Sequence, residues 1–95
     1  MSDLAPLLQR FFTDKLDGQM NASVHTKAAY ADTFRLLLTY AHQRTGTAPS
    51  ALRLADLHAD MIGGFLQHLE DKRGNSASTR NARRAALRSF FTYAS

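Results

Sequence analysis

The chain has 95 residues, of which 44% are hydrophobic and 21% are charged, with a formal net charge of +4 and no cysteine. This length and composition are those of one folded domain, and they exclude a second core, a disordered chain, and any disulfide or cysteine nucleophile. No apolar run approaches the about 18 residues of a membrane span, and the N-terminus lacks the pattern of a signal peptide. We therefore expect a soluble, cytoplasmic protein that does not enter a membrane.

The charge is unevenly distributed along the chain. Residues 1–71 carry six Lys/Arg against eight Asp/Glu, a net −2, whereas residues 72–95 carry six Lys/Arg and no acid, a net +6. This asymmetry is typical of a surface that binds a polyanion. By charge alone, a solvated basic helix face explains it equally well.

The first predicted helix covers residues 4–17, in which apolar residues recur at helical spacing. Ser2 or Asp3 can cap its start, and Gly18 is expected to end it.

The second predicted helix covers residues 24–45, between Ser23 as N-cap and Gly46 as the C-terminal stop. Leu36 and Tyr40 fall beside its main apolar stripe. We therefore expect this helix to be covered by neighbours on more than one side.

The third predicted helix covers residues 58–73 and stops at Gly74. Its interior contains Gly63 and Gly64, each of which lowers helix stability by about 1 kcal/mol relative to alanine. Close packing of the helix backbone against a neighbour is the favoured explanation of this pair, and a hinge is the alternative.

The fourth predicted helix covers residues 78–95 and starts near Ser76 or Ser78. No segment of the chain sustains the alternation of a β-strand. The sequence therefore predicts an all-α fold, a single domain over residues 1–95 with one core shared by four helices.

An enzyme active site is not recognisable in the sequence. Its four histidines show no paired helical spacing, and there is no HExxH motif, no GxGxxG motif and no carboxylate pair suited to acid–base work. We therefore predict no catalytic residue, no metal site and no cofactor.

The fourth helix carries the strongest functional signal. At 100° per residue, Arg80, Asn81, Arg84 and Arg88 occupy one sector, whereas Arg83 falls near the apolar side and is expected to pass beyond the core. Small hydroxyl and amide side chains precede them, so the helix start offers donors to a phosphate. The candidate nucleic-acid-binding residues here are Ser78, Thr79, Arg80, Asn81, Arg84 and Arg88. Ordinary N-capping followed by a solvated face is the alternative.

The start of the second helix repeats this arrangement more weakly. Thr26 and Lys27 gather a hydroxyl and a charge beside the cap, and both are candidate nucleic-acid-binding residues. Taken alone, they are better explained as an ordinary capped helix start. Their weight comes from being the second such helix start in one small domain.

Three segments resemble the core-binding domain of tyrosine recombinases, also called phage integrases. Residues 23–34, SVHTKAAYADTF, are similar to that domain's S-x-x-T-x-x-x-Y-x-x-x-[LF] motif. Residues 76–91, SASTRNARRAALRSFF, are similar to its last helix. Between them, residues 54–57 and 65–69 fit its D-[IL]-T…F-[LI]-x-x-L stretch, with His58 where a capping threonine is common. The similarity covers residues 4–95.

The resemblance implies a compact, orthogonally packed four-helix bundle of the SAM-like type. In that family the domain binds double-stranded DNA as half of a clamp, beside a C-terminal catalytic domain and other recombinase protomers. The catalytic domain, with its nucleophilic tyrosine, is expected to lie outside this chain. Tyr30, Tyr40 and Tyr93 are accordingly not expected to be nucleophiles.

Two other interpretations remain open at the level of sequence. One is a helical protein–protein interaction module without DNA binding, whose surface would include Leu36, Tyr40, Phe91 and Tyr93. The other is an enzyme fragment with no binding role of its own.

Overall fold

The computed structural model describes residues 3–74 and 76–95, and describes Arg73 by its backbone alone. Ser2, one of the two candidate caps, lies outside the described residues, as does Asn75, one of the small polar residues before the fourth predicted helix. Within the described ranges the chain forms helices and turns and contains no β-strand.

Four helical regions make up the fold, and the connection between the second and the third contains two short 3₁₀ turns. They are α1 at Leu4–Arg10, continued by a π-helical segment at Phe11–Gln19, α2 at Val24–Thr45, the turns Pro49–Ala51 and Leu54–Asp56, α3 at Ala59–Arg73 and α4 at Ala77–Ala94. The prediction of an all-α, four-helix fold is confirmed.

The first helical region changes its pitch after α1. Phe11 and Leu16 are five residues apart and both fully buried, although five residues of a regular α-helix place side chains about 140° apart. Wider turns with hydrogen bonds between residues five apart bring both side chains to the core, as in the 2.8 Å bond from the Met20 N–H to the Lys15 carbonyl. The region therefore passes Gly18, the expected stop, and ends at Gln19.

Most helix ends follow the capping signals of the sequence. Ser23 Oγ accepts a hydrogen bond from the Thr26 N–H at 3.1 Å, and His58 Nδ1 caps α3 in the same way at 3.3 Å. Gly46 and Gly74 end α2 and α3 in the left-handed region, with φ of 74° and 56°. These positions are ones at which glycine avoids the steric cost of a Cβ.

Asp3 lies at the N-cap position of α1 but makes no capping hydrogen bond with its side chain. Its carboxylate instead accepts a hydrogen bond from the Leu54 N–H at 2.8 Å. This hydrogen bond links the start of α1 to the connection between α2 and α3.

An aromatic cluster forms the centre of the core. Phe11, Phe34 and Phe90 come from three different helical regions, with ring centroids between 5.2 and 6.1 Å apart. On another side of α2, Tyr40 packs against Phe65 of α3 with centroids 5.8 Å apart. As expected, α2 is covered on more than one side and is the central helix of the bundle.

The two glycines of α3 have different surroundings. A Cβ built on Gly64 would lie 2.5 Å from the hydroxyl of Tyr40, whereas one built on Gly63 would meet nothing within 4 Å. The close-packing explanation therefore holds for Gly64, where the neighbour is the side chain of Tyr40. It does not hold for Gly63.

Candidate nucleic-acid interface

The starts of α2 and α4 have the same construction. In each, the N-cap serine Oγ accepts a hydrogen bond from the N–H of a threonine three residues later, at 3.1 Å for Ser23 and Thr26 and 3.2 Å for Ser76 and Thr79. The two hydroxyls of each pair also lie within hydrogen-bonding distance, at 3.1 and 3.2 Å. Two of the predicted DNA-binding threonines are therefore built into the caps themselves.

Neither of these helix starts has an acidic residue in its first turn, whereas α3 has Asp60 there. The first N–H groups of a helix have no partner within it, and the helix dipole adds a partial positive charge at that end. Without a carboxylate of the same turn to occupy them, the starts of α2 and α4 are suited to an external anion.

The N-terminal halves of α2 and α4 flank a groove of ≈ 210 Å³. Its lining consists of Ala29, Asp32, Thr33, Ser78, Thr79, Ala82 and Arg83. Ser78 is exposed at its edge and Thr79 is half-buried. The fold therefore places two candidate residues of α4 next to the second and third turns of α2.

Arg83 does not extend beyond the core as expected. Its side chain is only 10% exposed, and Nη1 and Nη2 each lie 3.5 Å from Oδ2 of Asp32 on α2. Its Nε is buried and has no hydrogen-bond partner. Arg83 therefore joins two helices rather than facing solvent. Its place on the apolar side of the helical wheel was the sequence signal for burial.

Asp32 connects this pair to a second arginine. The pKa of the Asp32 carboxyl is lowered chiefly because it accepts a hydrogen bond from Arg35. Burial is the next largest effect and opposes this shift, and the charges of Arg35 and Arg83 add to the lowering. Asp32 was not among the residues singled out from the sequence. The cross-helix pairing depends on how α2 and α4 pack and was missed.

Two of the predicted DNA-binding cations have carboxylate partners within the domain. Lys27 Nζ lies 2.7 Å from Oδ1 of Asp17 in the π-helical segment. Arg80 forms an ion pair with Glu70 of α3. Both pairs are at the surface, where such contacts contribute at most about 1 kcal/mol and exchange readily.

The remaining three candidates are Asn81, Arg84 and Arg88. All three are exposed on α4, and neither arginine forms an ion pair with any residue in the described part of the chain. Arg84 also lines a small crevice against α3 together with Arg80. The predicted basic face therefore exists, with Arg84 and Arg88 as its unpaired cations and Arg80 drawn toward α3.

The residues of the rival protein-binding surface are largely covered. Tyr40 is 7% exposed and belongs to the core, and Leu36, Phe91 and Tyr93 are half-buried against it. The Tyr93 hydroxyl also donates to the Asp14 carboxylate at 3.4 Å. Leu36 and Tyr40 also line a groove of ≈ 190 Å³ between α2 and α3, together with polar side chains of both helices.

Across residues 3–74 and 76–95, no group of three or more His, Asp or Glu side chains is arranged to hold a metal ion. Among the same residues, no helix combines the length and hydrophobicity that crossing a membrane requires.

Fold and site together define a small helical domain with two acid-free helix starts beside a basic helix face. The family described as "Phage integrase, N-terminal SAM-like domain" matches residues 8–95, and the chain belongs to this family.

Two curated relatives come from Sinorhizobium fredii (strain NBRC 101917 / NGR234). "Putative integrase/recombinase y4rD" is 49% identical over 88 residues, covering 93% of this chain and 31% of the relative. "Putative integrase/recombinase y4rC" is 45% identical over 93 residues, covering 98% of this chain and 28% of the relative. The chain thus spans about a third of the length of each. No solved structure matches it.

Proposed function

We propose that this chain is the DNA-contacting, core-binding domain of a site-specific tyrosine recombinase. It holds one face of a duplex at a recombination half-site while a catalytic domain elsewhere in the full-length protein cleaves and joins strands. Its partners are double-stranded DNA, that catalytic domain and other recombinase protomers on the same DNA. Membership of the integrase family and the names of the two relatives support this proposal.

The observation that carries the proposal is the pair of matching helix starts. Both α2 and α4 begin with a serine cap, a threonine three residues on and no acid in the first turn. A phosphate accepts hydrogen bonds from first-turn N–H groups and hydroxyls and is favoured by the helix dipole. Two such starts in one small domain suit the repeated phosphates of a DNA backbone.

The candidate residues divide by the contact each would make. Thr26, Lys27, Ser78, Thr79 and Arg88 are assigned to phosphates, which fix affinity and register but carry no sequence information. Any reading of bases is assigned to one or two of Arg80, Asn81 and Arg84, whose side chains match the edges of guanine or adenine, and the others contact phosphates.

The salt dependence of DNA binding tests the proposal. Contacts dominated by phosphates give dissociation constants of about 10⁻⁴–10⁻⁶ M for non-specific binding, and each neutralised phosphate adds about 0.9 to the slope of log K against log salt. We expect Arg84→Gln to reduce that slope by up to about one unit while the protein stays folded. Arg35→Gln removes the same charge from the outer side of α2 and is expected to change the slope much less.

An NMR titration with a duplex locates the surface independently. Chemical-shift changes concentrated at residues 23–30 and 76–88 support the proposal. Changes centred on Leu36 and Tyr40, or the absence of salt-sensitive changes at the two helix starts, contradict it and favour a protein-binding module.

A further inference from the structure

The ion pair between Arg80 and Glu70 bridges the end of α3 and the first turn of α4. Side-chain exposures of 43% and 38% leave both groups accessible to solvent and to ligands. The two residues are separated by the turn at Gly74. Arg80, one of the predicted DNA-binding residues, is therefore held toward α3 in the free domain.

Glu70 occupies an electrostatically unfavourable place in its own helix. It lies in the last turn of α3, where its carbonyl accepts the N–H of the capping Gly74 at 3.2 Å. A helix C-terminus carries a partial negative charge and is stabilised by cations rather than by carboxylates. The local stability of α3 therefore does not account for an acid at this position.

The surroundings of Glu70 point instead to α4. The crevice between α3 and α4 is lined by two leucines, Glu70 and three arginines, namely Arg80, Arg83 and Arg84. Glu70 is the acidic group in that lining. Its carboxylate offers the same kind of acceptor for a guanidinium as a phosphate does.

We propose that Glu70 is a specificity-determining residue of this domain, because it occupies Arg80 in the free state and has to be displaced before Arg80 can engage DNA. The inference rests on the proposed function. A duplex that offers only phosphates must compete with the carboxylate for the guanidinium, so Glu70 weakens binding to arbitrary DNA. A site that also offers Arg80 a base-edge contact compensates for the lost ion pair.

Replacing Glu70 by glutamine removes the charge and keeps the size of the side chain. With Arg80 released, one more phosphate is neutralised and the slope of log K against log salt becomes steeper by about 0.9. Lowering the salt concentration from 200 to 50 mM should therefore raise the affinity of Glu70→Gln for DNA about 3.5-fold more than it raises that of the unaltered chain.

Asp71 provides a matched control one residue away. It is exposed, and its carboxylate accepts a hydrogen bond from Gln67 at 3.0 Å rather than one from an arginine. Asp71→Asn changes the net charge of the protein by the same amount as Glu70→Gln. We expect this control to change affinity for a random duplex only slightly and to leave the slope unchanged.

The experiment compares the 95-residue chain and its variants on a random-sequence duplex at several salt concentrations, with thermal melts to verify folding. A steeper slope for Glu70→Gln than for Asp71→Asn, which disappears when Arg80→Gln is added, supports the inference. Equal effects of Glu70→Gln and Asp71→Asn, or no effect of either, overturn it while leaving DNA binding intact. If the unaltered chain fails to bind the duplex even at 50 mM salt, the proposed function itself is refuted.

Discussion

The glycine pair of α3 provides a sharp test of the packing between α2 and α3. Replacing glycine by alanine within a helix stabilises it by about 0.5–1 kcal/mol if the new methyl group meets no obstacle. At Gly63 nothing lies within 4 Å of the added Cβ. For a domain of this size, we expect Gly63→Ala to raise the melting temperature by about 2–8 °C.

At Gly64 the same substitution should have the opposite effect. The Cβ would lie 2.5 Å from the hydroxyl of Tyr40, which in turn accepts a hydrogen bond from Arg44 at 2.8 Å. Forcing extra volume into a packed contact costs about 1–3 kcal/mol, which outweighs the gain in helix propensity. We expect Gly64→Ala to lower the melting temperature.

A double substitution isolates the cause. Tyr40→Phe removes the obstructing oxygen, and the nearest atoms then left around the Cβ are Tyr40 Cζ and Arg44 Nη1, each at 3.6 Å, an ordinary van der Waals separation. In the Tyr40→Phe background, Gly64→Ala should therefore become stabilising, as Gly63→Ala is.

The assay is a thermal melt followed by circular dichroism for each single and double variant. Equal gains in melting temperature for Gly63→Ala and Gly64→Ala in the unaltered background would refute the argument, because Tyr40 would then have to move away without cost. A loss at Gly64 that persists with Phe at position 40 would show that the hydroxyl is not the obstacle.

Two further predictions concern the core and the ion pair beside the groove. Phe34→Ala or Phe90→Ala should destabilise the domain by about 3–5 kcal/mol, because each ring is at most 3% exposed and lies in the central aromatic cluster. Urea unfolding measures this change, and a decrease in the free energy of unfolding of less than about 1 kcal/mol would contradict the packing. The pKa of Asp32 is lowered by its arginine partners from an ordinary value of 3.8, so its contribution to stability is present above that pH and is lost as the pH falls through its folded-state pKa. Asp32→Asn should therefore weaken the dependence of the melting temperature on pH below about 4. If the melting temperature of the variant falls with pH as steeply as that of the unaltered protein, the pairing does not stabilise the fold.

Local signals in the sequence were sufficient for the helices and most of their ends. Ser23, Gly46 and Gly74 act as predicted because capping depends on one residue and the turn next to it. Asp3 is one exception, because its carboxylate bonds Leu54 instead of capping α1. The other is the region around Gly18, where burial of both Phe11 and Leu16 requires a wider helical turn. That requirement comes from the core these side chains enter and is not visible in a pattern with a period of 3.6 residues.

The same distinction between local signals and tertiary packing applies to the candidate interface. Three features could be recognised from the sequence alone, because each is carried by residues close together in the chain. They are the basic segment after residue 71, the hydroxyl-rich helix starts and the motifs similar to the integrase family. The tertiary structure alone decided which cations have partners: Arg83 with Asp32, Arg80 with Glu70 and Lys27 with Asp17. These pairs join residues 10 or 51 positions apart. Their formation depends on how the helices and turns pack, which the charge and spacing within a single helix do not specify.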